Sequence, residues 1–266
     1  MNIAVITGAS SGLGEQFALK TDKQYPEIEE IWLIARREDK LKSLSEKLSK
    51  KAKIISLDIT DSEAMKKYSL LLNEEKPNIK LLINNAGFGV FGDFTETDLD
   101  SELRMIDTNV KAVHILTKLV VKKFKARGYG HILNVASLAA FFPGPLFASY
   151  YATKSYVLRL SQAIYEELRK EGSKVKISVL CPGPVATEFG DVAKVNFGLG
   201  NERGKRFIVL TSHDVSEYAI NKMFAGKLVI IPGTLMKIAA FLRRIIPDKI
   251  MSRLVCLIQH KKCITK

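Results

Sequence analysis

Tyr150 and Lys154 lie four residues apart in the segment SYYATK (149–154). Residues at this spacing share one face of a helix, so the Lys154 ammonium would lie beside the Tyr150 phenol. A phenol is a poor acid–base catalyst at neutral pH unless a neighbouring charge stabilises its anion. The pair is therefore a candidate proton donor, although a chance Tyr–Lys pair on an amphipathic helix fits the spacing equally well. Tyr151 has Ser155 at the matching position and is not a candidate.

Two further polar residues could contribute to the same chemistry. Ser137 ends an apolar strand-like run, thirteen residues before Tyr150. Its hydroxyl could bond a substrate oxygen, and a serine that caps a turn or helix is the alternative. Asn109 falls inside a long helical pattern, where asparagine is mildly unfavourable, and this indicates a functional or kinked position. From the residues alone, a solvent-facing asparagine is the favoured interpretation.

Three glycines follow the first predicted strand, in the segment TGASSGLG (7–14). Glycine lets the backbone turn sharply and approach a pyrophosphate, and the helix that follows directs free N–H groups at the phosphates. The spacing is Gly-x-x-x-Gly-x-Gly rather than Gly-x-Gly-x-x-Gly. We predict a dinucleotide-binding loop here, with a tight turn that merely needs glycine as the alternative.

Arg36 and Arg37 follow the second predicted strand, where dinucleotide-binding folds contact the ribose 2′ position. A carboxylate there accepts a bond from the 2′-hydroxyl, whereas arginine suits a 2′-phosphate, either bidentately or by stacking on adenine. The sequence therefore favours NADP(H) over NAD, with solvated arginines as the alternative. Asp58, at the end of the third strand, could accept a bond from the adenine amino group or cap a helix.

Short β-branched apolar runs alternate with longer segments of helical periodicity, which predicts an α/β fold. The predicted strands are Asn2–Ile6, Ile31–Ala35, Lys53–Leu57, Lys80–Ile83, His131–Val135, Val175–Leu180 and Leu228–Ile231. The predicted helices are Glu15–Lys23, Lys40–Lys50, Ser62–Glu74, Leu99–Arg127 and Tyr150–Lys170. Strands that are apolar on both faces imply a parallel sheet with helices on each side. We expect a Rossmann-type doubly wound sheet of about seven strands, with its ligand site at their carboxyl ends.

In order and spacing, the motifs resemble those of the short-chain dehydrogenase/reductase family, over about residues 2–187. They are Thr7–Gly14, Asp58, Asn84–Gly87, Asn109, Ser137, Tyr150 with Lys154, and Pro182 with Gly183. The resemblance implies a catalytic tetrad of Asn109, Ser137, Tyr150 and Lys154. Lys154 would lower the pKa of Tyr150 and bind the nicotinamide ribose, Asn109 would hold a water, and the cofactor would carry the hydride.

The resemblance also implies an NADP(H) site that spans several strand ends. Together with the loop and the arginines, the predicted cofactor-binding residues are Gly8, Ser10, Ser11, Gly12, Leu13, Gly14, Arg36, Arg37, Asp58, Ile59, Asn85, Ala86, Gly87, Tyr150, Lys154, Pro182, Gly183, Val185 and Thr187. Thr187 would lie near the nicotinamide carboxamide. Three cysteines without metal-ligand spacing predict neither a metal site nor a disulfide scaffold, which fits a cytoplasmic protein.

Aromatic residues cluster in the predicted loops after the fourth, fifth and sixth strands. They are Phe88, Phe91, Phe94, Phe141, Phe142, Phe147, Phe189 and Phe197. About half would pack in the core and the rest would line an apolar pocket for a bulky hydrophobic substrate. We therefore predict an NADP(H)-dependent enzyme that interconverts a ketone and a secondary alcohol, with a hydroxysteroid or bile-acid ketone favoured. The alternatives are a 3-oxoacyl thioester reductase and a dinucleotide-sensing protein without turnover.

The net charge of +13 is concentrated near the carboxyl terminus, where nine lysines and arginines but one acidic residue occur from Lys227 onward. Basic residues are not grouped with aromatic ones, which argues against nucleic acid as a partner. We expect one catalytic domain at 1–232, with a substrate loop at about 188–210, and amphipathic basic helices at 233–266. This tail would cap the site, complete a homodimer or homotetramer, or rest on a membrane surface. Because it holds few aromatic anchors, protein packing is favoured over membrane contact.

Overall fold

Parallel strands alternate with helices along the chain, as the hydrophobic pattern predicts. The computed structural model describes residues 1–193 and 209–263, with side chains up to residue 260. The strands are β1 (Asn2–Thr7), β2 (Glu30–Ala35), β3 (Lys51–Ser56), β4 (Asn78–Asn84), β5 (Gly130–Val135), β6 (Val175–Leu180), β7 (Val185–Ala186), β8 (Leu210–Thr211) and β9 (Val229–Ile230). The helices are α1 (Gly12–Gln24), α2 (Glu38–Ser45), α3 (Ser62–Glu75), α4 (Leu99–Ile106), α5 (Val113–Arg127), α6 (Ala148–Lys170), α7 (Phe189–Val192), α8 (Ser212–Phe224), α9 (Thr234–Leu242) and α10 (Asp248–Cys263).

The central sheet has seven parallel strands in the order β3-β2-β1-β4-β5-β6-β9, which confirms the predicted doubly wound fold. Successive side chains of β1 alternate between two buried layers: Ala4 and Ile6 pack on one face, Ile3 and Val5 on the other. The strand order reverses direction between β1 and β4, and ligands bind at the carboxyl ends of strands at such a switch point. The fold therefore predicts a ligand site between the loops that follow β1 and β4.

The second predicted helix is wrong at its end, since α2 stops at Ser45 rather than Lys50. The Asp22 carboxylate on α1 accepts bonds from the backbone N–H groups of Ser49 and Lys50, at 3.1 and 2.8 Å. These bonds hold the chain out of the helix, and β3 then begins at Lys51, two residues before the predicted start. A long-range carboxylate thus overrides a local leucine periodicity.

Two other helical predictions need correction. The segment predicted as one helix over Leu99–Arg127 consists of α4 and α5 joined by a π-helical segment, Asp107–Ala112. The sequence analysis also missed α8, whose buried residues pack it against α1. Outside the central sheet, β7 and β8 form a small parallel pair that was not predicted. Phe197 and most of the predicted substrate loop at 188–210 lie outside the described residues.

Candidate active site

The glycine loop between β1 and α1 is tightly packed, and none of its three glycines has room for a side chain; a Cβ on Gly8, where φ is +65°, would lie 2.8 Å from the Ala86 Cα. A Cβ on Gly14 would overlap the Gly8 carbonyl oxygen. Gly12 has a φ of +57°, and a Cβ there would come within 2.9 Å of the Thr187 side chain. The amino terminus of α1 therefore lies open beside the loop and under Thr187, as a pyrophosphate cradle requires.

Asn85 joins this loop to the end of β4. Its side-chain amide donates to the carbonyl oxygens of Thr7 and Gly8, each at 3.1 Å, and its backbone N–H donates to the Thr7 hydroxyl at 3.0 Å. The two loops at the switch point are thus fixed to each other by short polar contacts. Ala86 and Gly87 follow and leave the floor of the crevice free of bulky side chains.

Arg37, rather than Arg36, makes the closer contacts with the glycine loop. Its Nη2 donates to the hydroxyls of Ser10 and Ser11, at 3.1 and 2.9 Å, and to a Glu188 carboxylate oxygen at 2.9 Å. This bond and the neighbouring Ser11 hydroxyl lower the pKa of Glu188. Sequence reasoning missed Glu188, because nothing near residue 188 indicates an arginine partner.

Arg36 is 73% exposed, and its Nη1 lies 3.9 Å from the Asp58 carboxylate. Asp58 itself accepts bonds from the backbone N–H and the hydroxyl of Thr60. The helix-capping alternative for Asp58 is wrong, since Asp61 caps α3. Arg36 thus presents a largely solvated guanidinium at the crevice, with the Asp58 carboxylate nearby.

Asn109 is buried within the π-helical segment, so the solvent-facing interpretation is wrong. Its side-chain oxygen accepts from the Phe88 N–H at 3.1 Å, and its amide donates to the Phe88 carbonyl at 2.9 Å and to the Thr153 hydroxyl at 3.1 Å. A Cβ on Gly87 would touch both the Asn109 oxygen and the Lys154 Nζ. Asn109 therefore ties the loop after β4 to α6 from behind the crevice, without lining it.

Tyr150, Ser137 and Lys154 converge where β5 ends and α6 begins. The Tyr150 ring stacks on Phe147, at 4.5 Å between centroids, and the Ser137 side chain lies near enough to the phenol to lower its pKa. The Lys154 Nζ donates to the Val135 carbonyl at 2.9 Å and lies 5.8 Å from the centre of the Tyr150 ring. Ser137 also caps a 3-10 turn by accepting a bond from the Ala139 N–H. The capping interpretation of Ser137 is thus confirmed, and its bond to a substrate oxygen stays a prediction.

Burial, more than charge, sets the protonation of this pair. Desolvation raises the pKa of Tyr150, and the Ser137 hydrogen bond acts in the opposite direction. Desolvation also lowers the pKa of Lys154 to about 8. The net shift in the pKa of Tyr150 is upward and burial is its largest cause, so the lowering by Lys154 that the resemblance implies stays a prediction. At neutral pH Tyr150 is a phenol and Lys154 remains mostly charged.

The buried ammonium of Lys154 should destabilise the nucleotide-free protein. We expect Lys154→Met to raise the free energy of unfolding by about 1–3 kcal/mol at pH 7, because methionine needs no hydration and the shifted pKa costs stability. The unfolded chain binds this proton up to a higher pH than the folded chain does. The contribution of Lys154 to the stability of the wild type should therefore become less unfavourable between about pH 8 and pH 10, and the gain from the substitution should disappear there. Urea titration of the wild type and of Lys154→Met at pH 7 and pH 10 measures these free energies of unfolding. An equal gain in stability from the substitution at the two pH values would contradict the lowered pKa of Lys154.

A cavity of about 540 Å³ unites these features. All predicted cofactor-binding residues line it except Gly14, which packs behind the loop. One end is bounded by the glycine loop and the arginines. The other end is lined by the aromatic residues Phe88, Phe142, Phe147, Tyr151 and Phe189. The described residues include no group of three His, Cys, Asp or Glu side chains that could hold a metal ion.

The other predicted pocket aromatics within the described residues do not line the cavity. Phe91 packs on Phe147, at 5.5 Å between ring centroids, and Phe141 packs in the core. Phe94 is 67% exposed and contributes to neither pocket nor core.

The carboxyl-terminal helix α10 reaches the cavity through Gln259, which the sequence analysis missed. Gln259 is buried, lines the cavity and donates from its amide to the Tyr151 hydroxyl at 2.7 Å. A Cβ on Gly144 would overlap the Tyr151 ring, so the ring is also confined from the other side. The tail therefore covers part of the site, which was one of the roles considered for it.

Comparisons with known proteins agree with this geometry. The short chain dehydrogenase family model matches residues 2–195. The NADP-dependent 3-hydroxy acid dehydrogenase YdfG of Escherichia coli (strain K12) is 30% identical over 218 residues, which cover 81% of this chain and 86% of that protein.

Two solved structures are similar over most of the chain. A short-chain dehydrogenase from Sphingobium yanoikuyae in complex with NADPH has a TM-score of 0.77 and 27% identity, and the match covers 88% of this chain and 89% of that one. A bulky-bulky ketone specific alcohol dehydrogenase from Comamonas testosteroni has a TM-score of 0.73 and 26% identity, and covers 87% of this chain and 86% of its own. The family model thus matches nearly three quarters of the sequence, including the glycine loop, the crevice at the switch point and the Ser–Tyr–Lys cluster. The chain belongs to the short-chain dehydrogenase/reductase family of oxidoreductases.

Proposed function

We propose that the protein interconverts a ketone and a secondary alcohol on a bulky hydrophobic substrate, with NADP(H) as cofactor. The observation that carries the proposal is the cavity itself, in which the Tyr150 phenol and the Ser137 side chain lie between a dinucleotide cradle and an aromatic wall. Proton donor, nucleotide site and apolar surface then face one space. A dinucleotide sensor without turnover would not need the proton donor.

The chain binds NADP(H), and its relatives and residues agree on the cofactor. The names of the Escherichia coli and Sphingobium proteins both include the phosphorylated dinucleotide. We assign the pyrophosphate to the glycine loop and the amino terminus of α1, and the 2′-phosphate to Arg36. When bound, the nicotinamide supplies or accepts the hydride.

The protein's own contribution is to hold the carbonyl and manage one proton. Ser137 and Tyr150 would both bond the substrate oxygen and polarise the carbonyl group. Because burial keeps Tyr150 protonated at neutral pH, it is ready to donate as the oxygen gains negative charge. The Ser137 hydroxyl and the Lys154 ammonium then stabilise the phenolate that remains. In the reverse direction the phenolate accepts the alcohol proton. The water assigned to Asn109 stays a prediction.

The distribution of charge around the cavity favours a neutral apolar substrate. Among the described lining residues, the charged ones lie at the cofactor end or beside Tyr150; they are Arg36, Arg37, Asp58, Lys154 and Glu188. The aromatic end has no described cation that could pair with a carboxylate, which a 3-hydroxy acid or a short 3-oxo acid would bring close to the reacting carbon. A hydroxysteroid-type ketone therefore fits this wall better than the substrate class in the name of the Escherichia coli relative.

Ketones of graded size test the proposal. We expect NADPH oxidation to be fastest, by kcat/KM, with steroid and bulky aromatic ketones, slower with a 3-oxoacyl thioester and slowest with a short 3-oxo acid. Absorbance at the NADPH band measures all of them under one condition. A preference for the short 3-oxo acid would overturn the substrate class while leaving the reaction type intact.

Phe142 and Phe141 offer a matched pair for the same question. Phe142 lines the cavity, whereas Phe141 packs in the neighbouring core. Phe142→Ala should raise the KM for a bulky ketone by about tenfold, since it removes apolar contact worth about 1.4 kcal/mol. The KM for a small ketone should change much less. Phe141→Ala should lower the stability of the fold instead. If both variants changed the ratio of the KM for the bulky ketone to the KM for the small ketone equally, Phe142 would not be a specific part of the substrate pocket.

We also propose that the protein forms a homodimer or homotetramer. In support, α4 carries an exposed apolar stripe in which Leu99, Leu103 and Ile106 recur at helical spacing. Acidic and basic residues both flank this stripe, so two copies can face each other without uniform repulsion. Size-exclusion chromatography with light scattering measures the number of subunits in the particle. Leu103→Glu should shift the protein towards the monomer.

A further inference from the structure

The described part of the tail leaves many large apolar side chains in solvent. Nine of the eighteen exposed large apolar residues in the described chain fall within 24 residues of sequence. These nine residues, called the tail face below, are Leu235, Ile238, Phe241, Leu242, Ile245, Ile250, Leu254, Leu257 and Ile258. Scattered exposed leucines need no explanation, but this density in 24 residues indicates an interaction surface.

In α10 the apolar residues form a stripe separate from the one that packs on the protein. Met251 and Gln259 face inward and are buried. Ile250, Leu254 and Leu257 recur at i, i+4 and i+7 on the adjacent, exposed side, where a helix presents one continuous apolar edge. α10 therefore packs on the protein with one side and leaves an apolar side exposed.

Basic residues border this stripe. Lys249 and Arg253, four residues apart and exposed, lie along its other edge. From Lys227 to the carboxyl terminus, nine lysines and arginines and one acidic residue give a local charge of +8. That acidic residue, Asp248, is paired with Arg243 at 2.5 Å. An apolar stripe bordered by cations is the pattern of a helix that lies in the interface of an anionic membrane.

The same charge argues against a second copy as the partner of this surface. In a symmetric dimer each subunit contributes the same patch, so two tail faces would bring two clusters of like charge together. The α4 stripe, with its mixed charges, offers copies a better contact. No helix in the described part of the chain is long and apolar enough to cross a bilayer, so the contact would be with the surface of a membrane.

We propose that the tail face docks the protein on an anionic lipid bilayer, with α9 and α10 lying in the plane of the headgroups. This proposal departs from the preference for protein packing that the composition of the tail suggested. Few aromatic anchors are present, but nine aliphatic and aromatic side chains stay uncovered. Docking would also bring the substrate site close to the lipid, because Gln259 on the inner side of α10 lines the cavity. A hydrophobic ketone dissolved in the bilayer would then lie near the pocket.

Co-sedimentation of the full chain with lipid vesicles tests the proposal, with neither NADPH nor ketone present. We expect the wild type to bind vesicles of phosphatidylcholine mixed with phosphatidylserine, and to bind pure phosphatidylcholine far more weakly. Lys249→Ala with Arg253→Ala should weaken binding to the anionic vesicles by about 25-fold, since each cation near such a surface contributes about a factor of five. Leu257→Glu should weaken it by about tenfold or more.

Matched variants elsewhere on the surface control for general effects. Lys118 and Lys122 are also exposed and four residues apart, on α5, and Leu70 on α3 is 59% exposed against 63% for Leu257. Lys118→Ala with Lys122→Ala, and Leu70→Glu, should leave vesicle binding within about twofold of wild type. A rise in melting temperature on adding NADPH, measured for every variant, reports that the fold is intact.

Three results would overturn the proposal. The first is failure of the wild type to sediment with anionic vesicles. The second is equal weakening by the α5 and α10 cation pairs, which would mean attraction to net charge alone. The third is a change of oligomeric state in Leu257→Glu by light scattering, which would assign the tail face to a second copy. None of these depends on the identity of the ketone, so the proposed reaction stands or falls separately.

Discussion

Tyr150→Phe should lower kcat for ketone reduction by about 10²–10⁴-fold while leaving the Kd for NADPH nearly unchanged. The substitution removes one oxygen and keeps the ring that stacks on Phe147 at 4.5 Å, so the walls of the cavity persist. In the proposed mechanism, the substitution removes the proton donor and one of the two bonds to the substrate oxygen. Stopped-flow turnover measures the first effect, and quenching of protein fluorescence by NADPH measures the second.

The neighbouring tyrosine provides the control. Tyr151→Phe removes a hydroxyl that also lies in the cavity, but that hydroxyl accepts from Gln259 and has no lysine one turn along the helix. We expect this variant to keep kcat within a few-fold of wild type and to change mainly the KM of bulky substrates. If Tyr151→Phe were the inactive variant and Tyr150→Phe the active one, the catalytic assignment would be reversed.

The parts of the site that sequence predicts are those fixed by local geometry. Tyr150 and Lys154 are four residues apart on one helix, and the glycine loop joins consecutive elements, so short-range rules suffice to place them. Ser137 lies at the end of a strand, and parallel strands bring their carboxyl ends together. The resemblance to a known family added Asn109, for which residue type alone favoured the wrong environment.

The parts that sequence reasoning missed depend on contacts between distant segments. Glu188 binds Arg37 across 151 positions, and Gln259 binds Tyr151 across 108. Neither residue belongs to a motif, and a glutamine on a basic tail helix is indistinguishable from a solvated one until α10 is placed. The early end of α2 has the same origin, since Asp22 holds the following chain from another helix.

The helix α8 was missed for a different reason. Its buried residues Val215, Ala219, Ile220 and Met223 do recur at helical spacing, so the pattern was present. The helix directly follows the glycine-containing segment that predicts a loop to about residue 210. The start of the helical pattern at Ser212 was therefore not separated from that loop. The net shift in the pKa of Tyr150 also depends on burial in three dimensions, which no spacing in the sequence reveals.

Arg36→Ala should raise the KM for NADPH by about 10- to 150-fold and hardly change the KM for NADH. A charge-assisted contact with the 2′-phosphate is worth about 1.5–3 kcal/mol, and NADH has no phosphate at this position. Arg36 is suited to this role because it is 73% exposed, and its described ionic contact is the 3.9 Å approach to Asp58, which leaves donors available for a phosphate.

Arg37→Ala separates recognition of the phosphate from support of the loop. The Arg37 guanidinium already donates to Ser10, Ser11 and Glu188, so its loss should loosen a loop that both cofactors contact. We expect this variant to raise the KM for NADPH and NADH by similar factors, unlike Arg36→Ala. Initial rates at a saturating ketone concentration give the KM of each variant relative to wild type, for NADPH and for NADH. If the wild type used NADH as efficiently as NADPH, or if Arg37→Ala rather than Arg36→Ala abolished the preference, the 2′-phosphate would have to be reassigned.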